Sequence, residues 1–330
     1  MLIAIADQTQ IAAARRSAEA LARRLGFNEL SAGRVALLAT EMASNIHKHA
    51  THGDLLATRF ADSTGSGVEL LALDKGPGIP DVARSLEDGY STAGSPGTGL
   101  GAIRRQADVF DIYSRPGGGT VVMARILGGG GASVAAADGE LGLVVVPYPG
   151  EVECGDSWAF ARKSGAPTLF AVDGSGHGPQ AAFAARSAVE AFEKNDQMDN
   201  VRILEAIHRA LAPTRGAAIA VARVDHPARL VRFAGVGNIS AALVSDGATK
   251  RMVSMNGTAG HVAPRVREFA YPFAGSPTVI LHSDGVSAKW DLASYPGLAT
   301  CRPSIIAGVL SRDFRRSNDD ALIAVLRVAA

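Results

Sequence analysis

The sequence predicts an α+β protein of two domains, and three observations support this. Its 330 residues exceed the length of one ordinary domain. The stretch "LGGGGASVAAADGE", which begins at Leu127, is too rich in small residues to bury a core and predicts a flexible tether. Apolar stripes at helical spacing and strand-like apolar runs occur on both sides of it. We therefore expect domains at 1–126 and 140–330, joined by a linker at 127–139.

Composition and charge exclude several classes of function. The chain has 33 Lys and Arg against 32 Asp and Glu, which argues against a nucleic-acid partner because phosphate neutralisation needs clustered positive charge. No apolar run approaches the ~20 residues of a membrane span, and "MLIAIADQTQ" lacks the basic flank of a signal peptide. Two cysteines, Cys154 and Cys301, cannot form a disulfide framework and predict reduced thiols in a cytoplasm.

The N-terminal domain is predicted to pack a helical layer on one sheet. A first helix is expected over 11–25, closed by Gly26. A second helix carries an apolar stripe at helical spacing, formed by Val35, Leu38, Met42 and Ile46. The runs "LLATRFA", "VELLALD" and "GTVVMARI" are typical of strands, and "AIRRQADVF" is typical of a short helix. This mixture of helices and antiparallel strands indicates an α/β sandwich.

The second helix also carries candidate chemistry. In "EMASNIHKHA", Glu41 and Asn45 lie four residues apart and so share one helix face. An amide oxygen can ligate a hard cation, and a carboxylate can hold a water or accept a proton. The alternative is a solvated helix face on which a Glu and an Asn happen to be neighbours.

Glycine-rich segments favour the first interpretation. The loop "DKGPGIPD" begins at Asp74 and contains Gly76 and Gly78. In "STAGSPGTGLG", three further glycines precede a helix, at Gly97, Gly99 and Gly101. Glycines that open a helix allow an anion to approach free N–H groups and the positive end of the helix dipole. No Walker lysine or G-x-G-x-x-G spacing is present, so neither a P-loop nor a dinucleotide fold fits.

In this order, "ExxxN", "DxGxGI" and "GxGLG", followed by "GGGT", resemble the Bergerat-type ATP-binding fold of histidine kinases, gyrase and heat-shock ATPases (GHKL). The whole of "DKGPGIPDVARSLEDGYSTAG" is similar to the small switch-protein serine/threonine kinases of the RsbT type. The resemblance covers nearly all of residues 1–126. It implies an α/β sandwich that binds ATP with Mg²⁺.

The same resemblance implies a role for each matching residue. Asp74 would accept a hydrogen bond from the adenine amino group, and Thr120 would support the adenine end. Asn45 would ligate Mg²⁺, and Glu41 would be the general base for a substrate hydroxyl. The glycines would let the nucleotide approach the backbone, at positions Gly76, Gly78, Gly97, Gly99 and Gly101.

The C-terminal domain places aspartates at the ends of strand-like apolar runs. They stand in "CGDSW", "LFAVDGSGHGP", "VILHSDGV" and "SNDDALIAVLRV", at Asp156, Asp173, Asp284, Asp319 and Asp320. Carboxylates at the ends of buried strands are costly unless a positive group lies among them. Converging carboxylates could hold two divalent cations that activate a water for phosphate-ester hydrolysis. The alternative for each aspartate alone is a turn residue, because Asp-Gly is a common turn dipeptide.

Together with "AGVGN", these segments resemble the metal-dependent serine/threonine phosphatases of the PPM family, in the branch of SpoIIE and RsbX, over 140–330. The resemblance implies an α-β-β-α sandwich with a helix at "PQAAFAARSAVEAFEK" and two bound Mn²⁺ or Mg²⁺ ions. Asp173 would bridge the two ions, with the Gly174 carbonyl as a further ligand. Asp284 and Asp319 would complete the second site. Asp156 would bind directly or through metal waters.

One departure from the phosphatase family is visible. Its sequences usually continue "DD-x-T", whereas Leu322 stands here at the position of the hydroxyl. The metal set is intact, but Leu322 cannot supply the hydroxyl of that threonine.

Other conspicuous residues have simpler interpretations. His177 fits a contact with substrate phosphate and a cap of its loop equally well. Cys154 lies two residues before Asp156, but its soft sulfur does not match hard oxygen ligands, and we expect a small core residue. Two tryptophans are also expected in the core, Trp158 and Trp290. Three histidines do not share one helix face and are expected at the surface or lid, at His47, His49 and His52.

The predicted function is a bifunctional regulator, a protein serine/threonine kinase joined to a protein serine/threonine phosphatase. By resemblance, the target is a STAS-domain protein, in a stressosome-like complex that controls a sigma factor or a second-messenger enzyme. In the alternative, only the phosphatase is catalytic, and the N-terminal domain is an ATP-dependent binding module for a STAS protein or sigma factor. A third alternative, in which both domains are scaffolds, is disfavoured because Glu41, Asn45 and the aspartates are all present.

Overall fold

The computed structural model describes residues 1–50, 52–87, 99–129, 139–162, 166–262 and 265–329. It divides into two compact units. Unit 1 comprises Met1–Ala136 and Thr300–Arg312, and unit 2 comprises Ala137–Ala299 and Asp313–Ala330. Most of the predicted linker, residues 130–138, lies outside the described residues. The domain limits 1–126 and 140–330 stay a prediction.

Unit 1 contains one antiparallel sheet and four helices from the N-terminal part of the chain. In chain order its elements are β1 (Leu2–Ile5), α1 (Gln8–Arg24), α2 (Glu29–Ala50), β2 (Gly53–Asp62), β3 (Gly65–Asp74), α3 (Val82–Ser85), α4 (Leu100–Gln106), β4 (Val109–Ser114) and β5 (Thr120–Leu127). The strand order in the sheet is β1-β2-β3-β5-β4. The predicted sandwich is therefore present, with β1 and β4 as additional strands.

Helix α1 begins earlier than expected because of its cap. The Asp7 side chain accepts from the Thr9 N–H at 2.8 Å, and Gln10 completes a capping box by accepting from the Asp7 N–H at 3.0 Å. This pairing satisfies N–H groups at the helix start. The helix ends at Arg24, and Gly26 follows in the left-handed region with φ of 80°.

The core of unit 1 lies between α1, α2 and one face of the sheet. The predicted stripe of α2 is buried, at Val35, Leu38, Met42 and Ile46. Alternate residues of β3, such as Leu70 and Ala72, contribute to the same core. The helix expected over "AIRRQADVF" ends at Gln106. The following residues turn into β4, where Val109 pairs with Arg125 of β5.

Unit 2 contains two antiparallel sheets. The elements of the second part of the chain are β6 (Gly139–Val146), β7 (Asp156–Ala161), β8 (Thr168–Gly174), α5 (Pro179–Asn195), α6 (Asn200–Ala210), β9 (Ala217–Asp225), β10 (Leu230–Val236), β11 (Ser240–Ser245), β12 (Ala248–Met252), β13 (Phe269–Pro272), β14 (Thr278–His282), two 3₁₀ turns (Leu292–Ser294 and Leu298–Thr300), α7 (Pro303–Phe314) and β15 (Ala321–Val328). The sheets have the orders β13-β10-β9-β8-β7 and β12-β11-β14-β15-β6.

Alternation along β8 shows how unit 2 is layered. Leu169 and Ala171 belong to the core between the two sheets, which also contains Leu322 and Leu326 of β15. The intervening Phe170 and Val172 pack in a second core with α5 and α6. The helix predicted at "PQAAFAARSAVEAFEK" is α5 and begins with a proline at its first turn.

The first ten residues of α7 belong to unit 1 although they come late in the chain. All residues from Pro303 to Arg312 are buried. A Cβ on Gly308 would lie 2.8 Å from Val121 Cγ1 and 3.0 Å from Leu73 Cδ2. Leu73 and Val121 are on the sheet face opposite to α1 and α2, so this helix covers that face.

A buried charged network joins the same helix to the sheet. Arg125 is fully buried, and its Nε donates to Glu69 Oε2 at 2.6 Å while Nη1 donates to Asp62 Oδ2 at 3.0 Å. Ser304 of α7 donates to Glu69 Oε2 at 2.7 Å and accepts from Arg125 Nη2 at 3.2 Å. None of the helices in the described ranges combines the length and apolar character needed to cross a bilayer.

Candidate functional site

Most of the predicted nucleotide residues of unit 1 line one cavity of about 450 Å³. This volume is within the range of about 300–1,000 Å³ typical of ligand pockets. Its walls include Glu41, Asn45, Asp74, Gly78, Gly99, Gly101 and Thr120. Glu41 and Asn45, four residues apart on α2, both line this cavity.

Asp74 lies at the end of β3, and one of its carboxylate oxygens accepts hydrogen bonds from the backbone. Its Oδ1 accepts from the Gly76 N–H at 2.8 Å and from the Thr120 N–H at 3.3 Å. Its Oδ2 has no hydrogen-bond partner among the residues described. Burial raises the pKa of Asp74, and its two backbone bonds and the positive charge of Arg312 oppose that rise. The side chain can therefore accept from a ligand amino group.

The glycines of the loop after β3 permit close backbone packing. Gly78 has φ of 72°, and a Cβ there would collide with the carbonyl oxygen of Arg115. Gly76 does not line the cavity, but it fixes Asp74 through its N–H. Gly99 precedes α4, and a Cβ there would lie 3.6 Å from Asn45 Oδ1. Gly97 lies outside the described residues.

Thr120 is fixed by a second hydrogen-bond group. Its Oγ1 is 2.9 Å from Ser114 Oγ, which also donates to the Gly119 carbonyl at 3.1 Å and accepts from the Ile79 N–H at 2.8 Å. The loop after β3 is thereby tied to the turn between β4 and β5. Thr120 is buried and supports the Asp74 end of the cavity, as its predicted position requires.

Sequence reasoning missed three positive groups near this cavity. Lys48 and Arg84 are part of its lining, and Arg312 contributes an electrostatic effect at Asp74. Lys48 lies three residues after Asn45 on α2, a spacing that could have identified it. His49 also lines the cavity, and the neighbouring His47 and His52 are exposed.

In unit 2, the predicted aspartates converge at one end of the two sheets. Asp156 begins β7 and lies directly opposite Asp173 near the end of β8. The negative charges of Asp156, Asp284 and Asp319 all raise the pKa of Asp173, in addition to the larger effect of burial. Burial also raises the pKa of Asp156 and of Asp319, and neighbouring carboxylates add to both shifts.

Several buried carboxylate oxygens in this cluster accept no hydrogen bond from the described residues. Both oxygens of Asp156 and Oδ2 of Asp320 are buried and have no hydrogen-bond partner among the described residues. Asp320 Oδ1 accepts from the Tyr148 N–H at 2.7 Å, and Asp284 Oδ2 accepts from Asn238 Nδ2 at 2.7 Å. Asn238 comes from "AGVGN" and is a further residue that sequence reasoning had not placed in the site.

The cluster fits divalent cations in charge and in donor chemistry. Buried carboxylate oxygens without partners are unfavourable unless a cation is present. The donors are hard oxygens, which suit Mg²⁺ and Mn²⁺. Within the described ranges, no three His, Cys, Asp or Glu side chains are already arranged so that they could hold one ion. Gly174 is packed here, since its N–H donates to the Gly155 carbonyl at 3.0 Å.

The remaining residues of the C-terminal prediction are also placed. His177 is exposed, stacks on Tyr148 at 4.1 Å between ring centroids, and has Nδ1 3.1 Å from Glu151 Oε1. Leu322, at the position of the missing hydroxyl, is fully buried in the core between the sheets. Trp290 is buried, and Trp158 is partly buried and packs against the core between the sheets. Cys154 is only partly buried, so the expectation of a core position was too strong for this residue.

Two family models match the chain. The model described as "Histidine kinase-like ATPase domain" matches residues 4–125, and the one described as "Stage II sporulation protein E (SpoIIE)" matches residues 164–328. The serine/threonine-protein kinase RsbT of Bacillus subtilis (strain 168) is 36% identical over 122 residues, which are 37% of this chain and 92% of that protein.

Two solved structures are also similar. A chain from "The bacterial stressosome: a modular system that has been adapted to control secondary messenger signaling" has 30% identity and a TM-score of 0.53. That match covers 57% of this chain and 99% of the other. RsbX in complex with magnesium has 20% identity and a TM-score of 0.50, with 57% of this chain and 94% of RsbX covered. At 20% identity, the second likeness concerns the fold.

Proposed function

Because the chain belongs to the histidine kinase-like ATPase family through residues 4–125 and to the SpoIIE family through residues 164–328, we propose that it is a bifunctional partner-switching regulator. It phosphorylates serine or threonine residues of a STAS-domain protein with ATP and removes the same phosphates again. One observation carries the proposal. The chain that holds a cavity lined by Glu41, Asn45 and Asp74 also holds a buried carboxylate cluster in its other unit.

In the kinase reaction, the residues of unit 1 have separate tasks. Asp74 accepts from the adenine amino group through Oδ2, and Gly99 and Gly101 admit the phosphates near the start of α4. Asn45 would hold Mg²⁺, which neutralises phosphate charge when bound. Glu41 accepts the proton of the attacking hydroxyl, so that the oxygen becomes a stronger nucleophile. Lys48 adds positive charge to the same cavity wall.

In the phosphatase reaction, the aspartates of unit 2 form the cation site. Asp173, Asp284 and Asp319 would hold the ions, with Asp156 and the Gly174 carbonyl as further ligands. Two bound divalent cations supply Lewis-acid activation of a water for attack on the phosphate ester. Asn238 orients Asp284 through the 2.7 Å hydrogen bond between their side chains. Asp320 accepts from the Tyr148 N–H through Oδ1, and its Oδ2 is buried without a hydrogen-bond partner among the described residues.

The choice of a STAS-domain substrate rests on the relatives. RsbT is a serine/threonine-protein kinase, and one similar chain comes from a bacterial stressosome. A stressosome-like assembly is therefore the proposed partner, and a cytoplasmic location is proposed because the kinase reaction uses ATP. In the second candidate function, unit 1 has no kinase activity and binds a STAS protein or sigma factor when ATP is bound.

The test uses two half-reactions with the full chain. In the first, γ-labelled ATP and Mg²⁺ are incubated with candidate STAS-domain proteins, and transfer of label to serine or threonine is measured. In the second, the labelled STAS protein is isolated and returned to the enzyme with Mn²⁺, Mg²⁺ or EDTA. The proposal predicts transfer in the first reaction and metal-dependent release in the second. ATP binding without transfer favours the second candidate, and release that survives EDTA contradicts the metal mechanism.

A further inference from the structure

Arg215 lies at the same end of its sheet as the carboxylate cluster. It precedes β9, and Ala217 at the start of β9 pairs with Gly174 at the end of β8. The Ser175 N–H donates to the Gly216 carbonyl at 3.0 Å. The residue next to Arg215 is thus bonded directly to the loop that follows Asp173.

The backbone around Arg215 is held on both sides. Thr214 Oγ1 donates to the Leu211 carbonyl at 2.7 Å and accepts from the Gly216 N–H at 3.0 Å. Gly216 has φ of 78°, and a Cβ there would lie 2.7 Å from the Ala259 carbonyl oxygen. The close packing allows only glycine at this position. Arg215 therefore projects from a fixed point.

The guanidinium of Arg215 reaches the loop between Asp173 and α5. A Cβ built on Gly176 would lie 3.3 Å from Arg215 Nη1. The side chain is exposed, and it makes no hydrogen bond or ion pair with any residue in the described ranges. Some other arginines of unit 2 are paired, for example Arg186 with Glu153 at 2.7 Å and Arg232 with Asp225 at 3.2 Å. The Arg215 N–H donors are available to a ligand.

A phosphorylated side chain is the ligand that matches this position. The carboxylates of the cluster repel a phosphate dianion, and bound cations offset only part of that charge. A guanidinium presents two parallel N–H donors that match two phosphate oxygens and remains charged at every relevant pH. A lysine at this position would offer charge without the planar pair of donors.

We propose that Arg215 binds the phosphoryl group of the substrate through its non-reacting oxygens and holds it against the carboxylate cluster. This rests on the proposed phosphatase function. Arg215 is a substrate-binding residue in this scheme, so its loss weakens the complex with phosphate and does not remove the cation site. The inference adds a positive element to a site whose predicted residues are otherwise all acidic or backbone.

The experiment compares the full chain with Arg215→Gln, Arg215→Lys and the matched control Arg209→Gln. Arg209 is an exposed arginine at the end of α6, so the control removes the same charge from the same unit. Hydrolysis of a phosphoserine peptide with Mn²⁺ gives kcat and KM. Calorimetric titration of the Mn²⁺-loaded protein with inorganic phosphate gives a binding constant that does not depend on turnover. Thermal unfolding monitors the integrity of each variant.

We expect Arg215→Gln to raise both KM and the dissociation constant of phosphate by roughly 10–100-fold, as loss of charged hydrogen bonds does. Arg215→Lys should recover part of this loss, and Arg209→Gln should behave as the wild type. Equal phosphate binding and equal KM in wild type and Arg215→Gln overturn the inference while the phosphatase proposal stands. Where Arg215→Gln does not fold, the folded Arg215→Lys decides: phosphate binding weaker than in the wild type supports the role of the guanidinium, and binding equal to the wild type overturns it. A wild type that neither hydrolyses the peptide nor binds phosphate overturns both.

Discussion

Asp156 and Asp173 lie directly opposite each other on β7 and β8, and both oxygens of Asp156 are buried without a hydrogen-bond partner among the described residues. Two carboxylates in such a position destabilise the fold unless a cation lies between them or one is protonated. Consistent with this, burial raises the pKa of both groups, and neighbouring carboxylates add to both shifts, with Asp156 acting on Asp173. The pair links the stability of unit 2 to metal binding.

The first prediction follows from this pair. Asp173→Asn should abolish metal-dependent hydrolysis, yet in EDTA at neutral pH its unfolding midpoint should be higher than that of the wild type. Burial raises the pKa of Asp173 to about 9, so this carboxylate must take up a proton when the metal-free unit folds, whereas Asn is neutral in both states. For a unit of this size, each kcal/mol corresponds to about 2–4 °C. Added Mn²⁺ should raise the midpoint of the wild type through binding to the folded state and raise that of Asp173→Asn much less. Scanning calorimetry with Mn²⁺ and with EDTA measures both effects. Equal responses to Mn²⁺ in the two proteins would remove Asp173 from the cation site.

The second prediction separates Glu41 from Asn45. Glu41→Ala should keep its affinity for Mg²⁺-ATP and lose phosphoryl transfer by about 10²–10⁴-fold, as expected for a general base. Asn45→Ala should weaken Mg²⁺-ATP binding itself. Nucleotide titration and a transfer assay with a STAS-domain protein distinguish the two failures. Full transfer by Glu41→Ala would show that Glu41 is not the base.

The third prediction concerns the adenine end of the cavity. Asp74→Asn removes the charge that accepts the adenine amino group and weakens the bonds to the Gly76 and Thr120 N–H groups. We expect the dissociation constant of ATP to rise about tenfold or more. Glu29→Gln, an exposed carboxylate at the start of α2, is the control. Unchanged affinity in Asp74→Asn would mean that the base does not bind at this carboxylate.

The fourth prediction tests the buried network of unit 1. Arg125→Met leaves Glu69 and Asp62 as buried carboxylates without their guanidinium and should destabilise unit 1 by about 3–5 kcal/mol. Ser304→Ala removes one hydrogen bond to Glu69 and should cost about 1–3 kcal/mol. Arg23→Met breaks only an exposed helix pair with Glu19, which is worth about 0.3–0.5 kcal/mol. The unfolding of unit 1 in urea is measured through its loss of nucleotide binding. A small effect of Ser304→Ala would mean that this hydrogen bond contributes little to the network.

The sequence predicted the fold class and much of the site because those features depend on local spacing. Glu41 and Asn45 share a helix face because residues four apart in any helix do so. Asp74 is the last residue of an apolar strand. The α+β class and both family resemblances were confirmed. The local sequence pattern gave a wrong prediction where contacts with residues distant in sequence decide the structure. Residues 107–110 leave the helix because the Asp108 N–H bonds to the Arg125 carbonyl and Val109 pairs with β5.

Other features needed the folded chain. The segment Thr300–Arg312 belongs to unit 1 because Gly308 lets α7 approach Val121 and Leu73, and no periodicity within the helix identifies that partner. Arg215 likewise stands in a loop whose sequence, "PTRGAA", carries no motif. Its significance comes from the pairing of β8 with β9, which brings the loops before and after these strands together.

The most direct test of bifunctionality is a time course of label on a STAS-domain protein incubated with γ-labelled ATP, Mg²⁺ and Mn²⁺. Three proteins are compared, the wild type, Glu41→Ala and Asp173→Asn. The account predicts that label accumulates to a higher level with Asp173→Asn than with the wild type. It also predicts that Glu41→Ala transfers almost no label to the substrate, and that Glu41→Ala removes label from a substrate phosphorylated beforehand. Equal accumulation with the wild type and Asp173→Asn, together with no release by Glu41→Ala, would contradict the presence of two opposing activities in one chain.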